Sequence, residues 1–447
     1  MRATPARIFL VYATALLALL GPARARAQER VALRAGRLVD VERGELLRDR
    51  VILVHGQRIE AVLAADAPLP AGTRRIDLSG HTVLPGLIDC HTHLADDIQS
   101  AGPGDPLARS EARYVLLGVK HARHTLLAGF TTVRDVGTWR AFTDVALRDA
   151  IEEGIVAGPR MAVAGAYITV SSGAGEITGL APDVVVPPAM RAGVANSRDE
   201  VRQRVRELLH GGADFIKILA TGAVLTRGTK PGTPEYSEDE LRAAVEEAAL
   251  YGARVTAHAH GAEGIKRAVR AGVQSIEHGS LIDDEGIRLM KERGTFLVAD
   301  IYNGDYIATV GRQKGWPEEF LRKNDETTEA QREGFRKAAA AGVRIAYGTD
   351  AGVYPHGDNA RQLAYMVRYG LTPMGAIQAA TLRAAESIGW EDRVGSLAPG
   401  KYADLIAVLG DGLADLERFG DVAFVMKGGV VYKGTGAVPW SGIAPGR

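Results

Sequence analysis

Between residues 82 and 390, short apolar runs alternate with amphipathic helical stretches, and this alternation limits the possible folds more than any other feature. Strand-like runs fall at 83–89, 130–136, 160–166, 214–219, 254–258, 273–277, 295–299 and 344–349. Helical stretches at 197–210, 238–250, 262–271, 283–292 and 325–341 separate most of them. Ser197 and Ser237 stand as N-caps with Glu200 and Glu240 three residues on, the spacing of a capping box. Parallel strands need long, usually helical, crossovers, so the pattern predicts an α/β fold. A (β/α)8 TIM barrel fits eight such units better than an open sheet.

The two ends read differently. Residues 31–33, 51–54 and 58–62 are β-rich, with His55-Gly56-Gln57 as a hairpin turn. Residues 403–408, 422–426 and 430–432 repeat that texture, with Lys427-Gly428-Gly429 as a turn. The expectation is a small β-sandwich-like domain built from 28–81 and 391–447, enclosing a barrel of 82–390. Residues 1–27 are set apart as a secretory signal: Arg2 and Arg7 precede an apolar run at 8–20, and Ala25-Arg26-Ala27 offers a cleavage site. That run is shorter than the ~20 residues needed to span a bilayer, although an uncleaved anchor is the competing reading. The mature chain is therefore expected to be exported, to a periplasm or beyond, and free of the membrane.

Composition removes other classes. Lys plus Arg equals Asp plus Glu at 54 each, which leaves no basic footprint for nucleic acid. The single cysteine, Cys90, excludes an internal disulfide framework and any multi-cysteine metal cluster.

In a TIM barrel, function gathers where strands end and βα loops begin. The first strand closes with His91-Thr92-His93, whose alternate positions share a face and can chelate a divalent metal. Lys217 sits inside an apolar run; His258 and His278 end two further strands, and Asp350 ends the last. Each alone reads as a hydrogen-bonded core or rim residue, but together they point to a catalytic metal centre. His260, two beyond His258, and His356, in the loop after Asp350, join the candidates, whereas His55, His81, His121, His124 and His210 read as solvated or structural. A buried lysine is readily neutral, and a neutral amine can add carbon dioxide, lose a proton and become a carbamate with two oxygens for two metals. An ordinary Lys217–Asp350 ion pair is the alternative.

At this point the chain resembles the amidohydrolase superfamily, and within it the imidazolonepropionase-like and prolidase-like branch. The resemblance rests on Pro85-Gly86-Leu87-Ile88-Asp89-Cys90-His91-Thr92-His93, Gly129-Phe130-Thr131-Thr132-Val133-Arg134-Asp135, Gly158-Pro159-Arg160, Lys217, His258, Ser275-Ile276-Glu277-His278-Gly279 and Gly348-Thr349-Asp350-Ala351-Gly352. Gly395-Ser396-Leu397-Ala398-Pro399-Gly400-Lys401-Tyr402-Ala403-Asp404-Leu405 matches the segment that returns the chain to the sheet domain. It implies two divalent metal ions, zinc by expectation, held by His91, His93, His258, His278, Asp350 and an N6-carboxylated Lys217. It further implies an acidified bridging water as nucleophile, with Asp350 taking its proton and passing it to the leaving amine. Asp350, Lys217 and His260 are thus the catalytic candidates. His260, Arg227 and Lys230 of the loop 221–236, and His356 are candidates to grip a substrate carboxylate, although Arg227 and Lys230 read equally as a solvated loop.

The implied reaction is hydrolysis of the amide bond to a C-terminal amino acid, in Xaa-Pro and other dipeptides, N-acyl amino acids or ochratoxin A. The loop 226–237 resembles that of the ochratoxin-cleaving enzymes, while 171–179 departs from the histidine-containing version expected in many relatives. A cyclic-amide hydrolase of the imidazolonepropionase kind is a second reading, disfavoured by the export signal. A metal-free scaffold is a third, disfavoured because all six ligand positions are filled. The resemblance also implies a homo-oligomer, plausibly an octamer.

Overall fold

A computed structural model describes residues 29–96 and 105–437. The signal-peptide expectation, residues 1–27, lies outside them. The chain opens with β1 (Arg30–Asp40), β2 (Glu45–His55), β3 (Arg58–Ala64) and β4 (Arg74–Pro85). It continues through β5 (Leu87–Thr92), β6 (Phe130–Asp135), β7 (Arg160–Val163), β8 (Tyr167–Ile168), β9 (Ile216–Leu219), β10 (Val255–Gly261), β11 (Ser275–Leu281) and β12 (Phe296–Val298). It closes with β13 (Leu405–Leu409), β14 (Phe424–Lys427) and β15 (Val430–Lys433).

Both ends meet in one seven-stranded sheet, ordered β15-β14-β13-β4-β1-β2-β3. Leu33, Ile52, Leu405, Phe424 and Met426 bury a common apolar face there, so neither end can complete this core alone. Gly429 makes the β14–β15 turn with φ 77°, and a Cβ on it would meet the Gly56 carbonyl oxygen at 2.0 Å. β4 runs without a break through the expected boundary at 81/82.

The middle strands pair in parallel as two arcs, β12-β11-β10-β9-β8 and β5-β6-β7. Three of the anticipated strands differ. The first, 83–89, is divided between the end of β4 at Pro85 and the start of β5 at Leu87. The third ends at Val163, because Gly165 turns through φ 74°, and the chain resumes as β8 against β9. The eighth, 344–349, forms no strand of its own: an isolated bridge joins Ile345 to Leu297. Its backbone is shared among three neighbours, Arg344 O accepting from Leu297 N, Tyr347 O from Cys90 N, and Tyr347 N donating to Ala379 O, so no continuous ladder forms.

Alternation along each strand separates core from cavity. Ile216 and Ile218 on β9, and Val255, Ala257 and Ala259 on β10, pack into the main apolar core. Lys217 and Leu219, and His258 and His260, are the intervening residues and line a cavity at the strand ends. The capping box at Ser237 and Glu240 is present in full, and Ser197 caps helix Arg198–His210 by accepting from Glu200 N. No helix among the described residues is long and apolar enough to cross a membrane.

Candidate metal centre

A cavity opens where the parallel strands end. His91, His93, Lys217, His258, His260, His278 and Asp350 all line it, drawn from five strands or strand ends. His91 and His93 share a face of β5, as their spacing demands. His278 needs another device, because simple alternation would send it away from the face that Glu277 takes. It sits at φ 69° and Asp350 at φ 57°, left-handed conformations that non-glycine residues rarely adopt outside functional sites.

Donor atoms fall into three overlapping groups within 4.8 Å: His91, His93 and Asp350; His258, His260 and His278; and His278, Asp300 and Asp350. Every histidine of these groups has one ring nitrogen engaged by the protein. His91 Nδ1 lies 2.8 Å from Glu277 Oε2, and His93 Nδ1 lies 2.8 Å from Gly137 O. His278 Nδ1 lies 3.0 Å from Asp300 Oδ1, His258 Nε2 lies 3.3 Å from Gly222 O, and His260 Nδ1 lies 2.7 Å from Ser280 Oγ. This leaves the other nitrogen of each ring available to a metal ion, the arrangement by which outer carboxylates and carbonyls orient metal-bound imidazoles. The donor set therefore fits divalent cations.

Burial dominates the electrostatics. It pushes His91 down to about 4, helped by the Lys217 charge, and His260 down to about 3, so both rings are neutral at pH 7. His258 is lowered well below the usual range for the same reason. Burial also lowers Lys217 to about 8, which raises the population of its neutral amine. The Asp350 carboxylate is held below its usual value despite burial by His91 and His93, whose Nε2 atoms stand 3.5 and 3.3 Å from Oδ1.

The anticipated carboxylate clamp is placed differently. Arg227, Lys230 and His356 are absent from the cavity lining. Lys230 is exposed, because its backbone packs against Gly222, where a Cβ would lie 2.4 Å from Lys230 O. Arg227 turns toward the Phe320 ring, 6.0 Å away, and His356 stacks on His121 with ring centroids 4.4 Å apart. From the loop 221–236 it is Ala223, Val224, Leu225 and Thr226 that face the cavity, and with Trp139, Tyr167 and Ile307 they give it an apolar wall.

Several working residues carried no role in the sequence reading. Glu277 is fully buried between His91 and Arg134, and Arg134 Nη2 donates to it at 2.7 Å. Asp300 follows directly on a predicted strand, so the strand-end rule that found His258 would have found it. Asn303 and Gln331 give no such signal, because they come from helices whose register on the site is set by packing.

A model of the Amidohydrolase family matches residues 82–432. The ochratoxinase of Aspergillus niger is 34% identical over 423 residues, covering 89% of this chain and 85% of that protein. A crystal structure of a Xaa-Pro dipeptidase with bound methionine in the active site superposes with TM-score 0.86 at 38% identity, covering 91% of this chain and 100% of that one. A prolidase complexed with N-methylphosphonate-L-proline superposes with TM-score 0.84 at 32% identity, covering 91% and 100%. The fold is accordingly that of the TIM-barrel hydrolases. The chain belongs to the amidohydrolase family and is a hydrolase of amide bonds.

Proposed function

We propose that the protein is a binuclear, zinc-dependent enzyme that releases a C-terminal amino acid from dipeptides and from N-acyl or N-aroyl amino acids, ochratoxin A among them. The observation that carries this reading is the meeting, in one cavity, of three overlapping donor groups with an apolar wall. The similarity to an ochratoxinase and to dipeptidases that accept methionine- or proline-bearing ligands supports the same substrate class.

In this reading His91, His93, His258, His278 and Asp350 would hold the metals, with Lys217, as its carbamate, as a further oxygen ligand. Divalent ions bound there supply Lewis-acid polarisation of the scissile carbonyl and acidify water. Asp350 accepts the proton of the attacking water and delivers it to the leaving nitrogen. His260, neutral and oriented by Ser280, offers its free nitrogen to the substrate's polar end. Trp139, Tyr167 and Leu225 exclude water around the acyl portion. The remaining proposals are export by residues 1–27, a terminal domain of 28–81 with 391–447, and assembly into a homo-oligomer.

The test is release of the C-terminal amino acid from dipeptides, N-acyl amino acids and ochratoxin A, with and without chelator. Turnover that chelation abolishes and added zinc restores is the expected result. No release from a metal-replete sample would overturn the substrate class and move the activity toward cyclic amides.

A further inference from the structure

Asn303 opens the short helix Asn303–Tyr306 beyond β12 and lines the cavity at 4% exposure. Its Nδ2 stands 3.0 Å from Asp300 Oδ2 and 3.0 Å from Asp350 Oδ2. Both neighbours are carboxylates, which only accept, so the amide is locked with nitrogen toward them and oxygen away. That oxygen, Oδ1, is buried and has no hydrogen-bond partner among the described residues. A buried acceptor left unpaired is costly, and native proteins keep few of them without a functional reason.

We infer that Asn303 reads the scissile amide N–H: Oδ1 accepts it from the bound substrate, while Nδ2 holds Asp350 in position to protonate that same nitrogen. The single planar amide group thereby couples recognition of the leaving nitrogen to the residue that completes its departure. This rests on the proposed release of a C-terminal amino acid, and it adds a specificity. Secondary amides satisfy Oδ1, whereas Xaa-Pro and N-methyl amides, which carry no N–H at the scissile nitrogen, leave it unpaired. Asn303 is a substrate-contacting residue through Oδ1 and a positioning residue through Nδ2.

The experiment compares an N-acyl amino acid with its N-methyl counterpart on the metal-replete enzyme. Wild type should favour the secondary amide in kcat/KM by about tenfold or more. Asn303→Ala should lower turnover of both and also cut that preference about tenfold, since only the secondary amide loses a partner. Asn303→Asp keeps an oxygen in place but breaks the bridge, so it should slow both substrates and retain the preference. Binding supplies a readout apart from turnover: calorimetry should show a phosphonamidate bearing N–H bound about tenfold more tightly than its oxygen isostere by wild type, and equally by Asn303→Ala. An unchanged preference in Asn303→Ala, or equal binding of the two isosteres by wild type, would overturn the assignment while leaving the hydrolase intact. Absence of activity on both amides in wild type would instead overturn the substrate class.

Discussion

At the scale of single residues, Glu277 shows how a polar group can be fully buried and still belong. One carboxylate oxygen faces His91 Nδ1, and the other takes hydrogen bonds from Arg134, Ser275 and Thr256. Its acid is held far below the ordinary range by the Arg134 charge and then by His91, against the opposing effect of burial. Glu277→Ala strands the Arg134 guanidinium in a buried site and should destabilise the fold by ~3–5 kcal/mol, read from denaturant unfolding. Glu277→Gln keeps the shape but weakens the hold on His91, and metal affinity should fall by about 10- to 100-fold in competition with a chelator.

Glu235 gives a pH prediction of definite sign. Burial raises its acid from 4.5 to about 7, with Ala174 N donating to it at 3.0 Å. Between those two values the folded chain binds more protons than the unfolded one, so this group makes stability fall as pH rises from 4.5 through about 7. Glu235→Gln should remove that slope and raise the melting temperature at pH 8 but not at pH 4.5. A gain of ~1–2 kcal/mol is expected after allowing for partial solvent screening.

At the scale of elements, legibility followed the strength of the local code. Helix Glu238–Ala249 was readable because Ser237 and Glu240 state its start in four residues, and Ser237→Ala should cost ~1 kcal/mol in thermal unfolding. β9 and β10 were readable because alternating apolar and polar residues already encode two faces. The third and eighth strands were over-extended, since apolar content cannot report a left-handed Gly165 or a backbone shared among three neighbours. The loop 221–236 misled for a related reason. Its cations drew attention, yet loop backbone packing at Gly222 decides which side chains enter the cavity, and those are the small apolar ones. Asn303 was invisible because its contact with Asp350 joins elements 47 positions apart in the chain.

At the scale of the whole molecule, the chain's two ends share a sheet in which β13 pairs with β4 and β4 with β1. Removing residues from 403 onward would strip β13–β15 from that sheet and expose the face covered by Phe424 and Met426. Such a truncation should yield insoluble or unfolded protein, checked by near-ultraviolet circular dichroism of any soluble fraction. The sheet does not reach the cavity, so its contribution to activity runs through stability. Only Gly86 separates the end of β4 from β5, which carries His91 and leads directly into His93, so loss of the sheet should also disturb the first pair of ligands.

The strand-end cluster is proposed to be a two-metal hydrolytic centre. The most direct measurement is metal per chain, by elemental analysis, followed alongside amide hydrolysis as apo-protein is reloaded with zinc. The expected result is no activity without metal, full activity near two ions per chain, and fewer bound ions with lost activity in Lys217→Ala. Full activity in protein stripped of metal, or undiminished metal content and activity in Lys217→Ala, would contradict it.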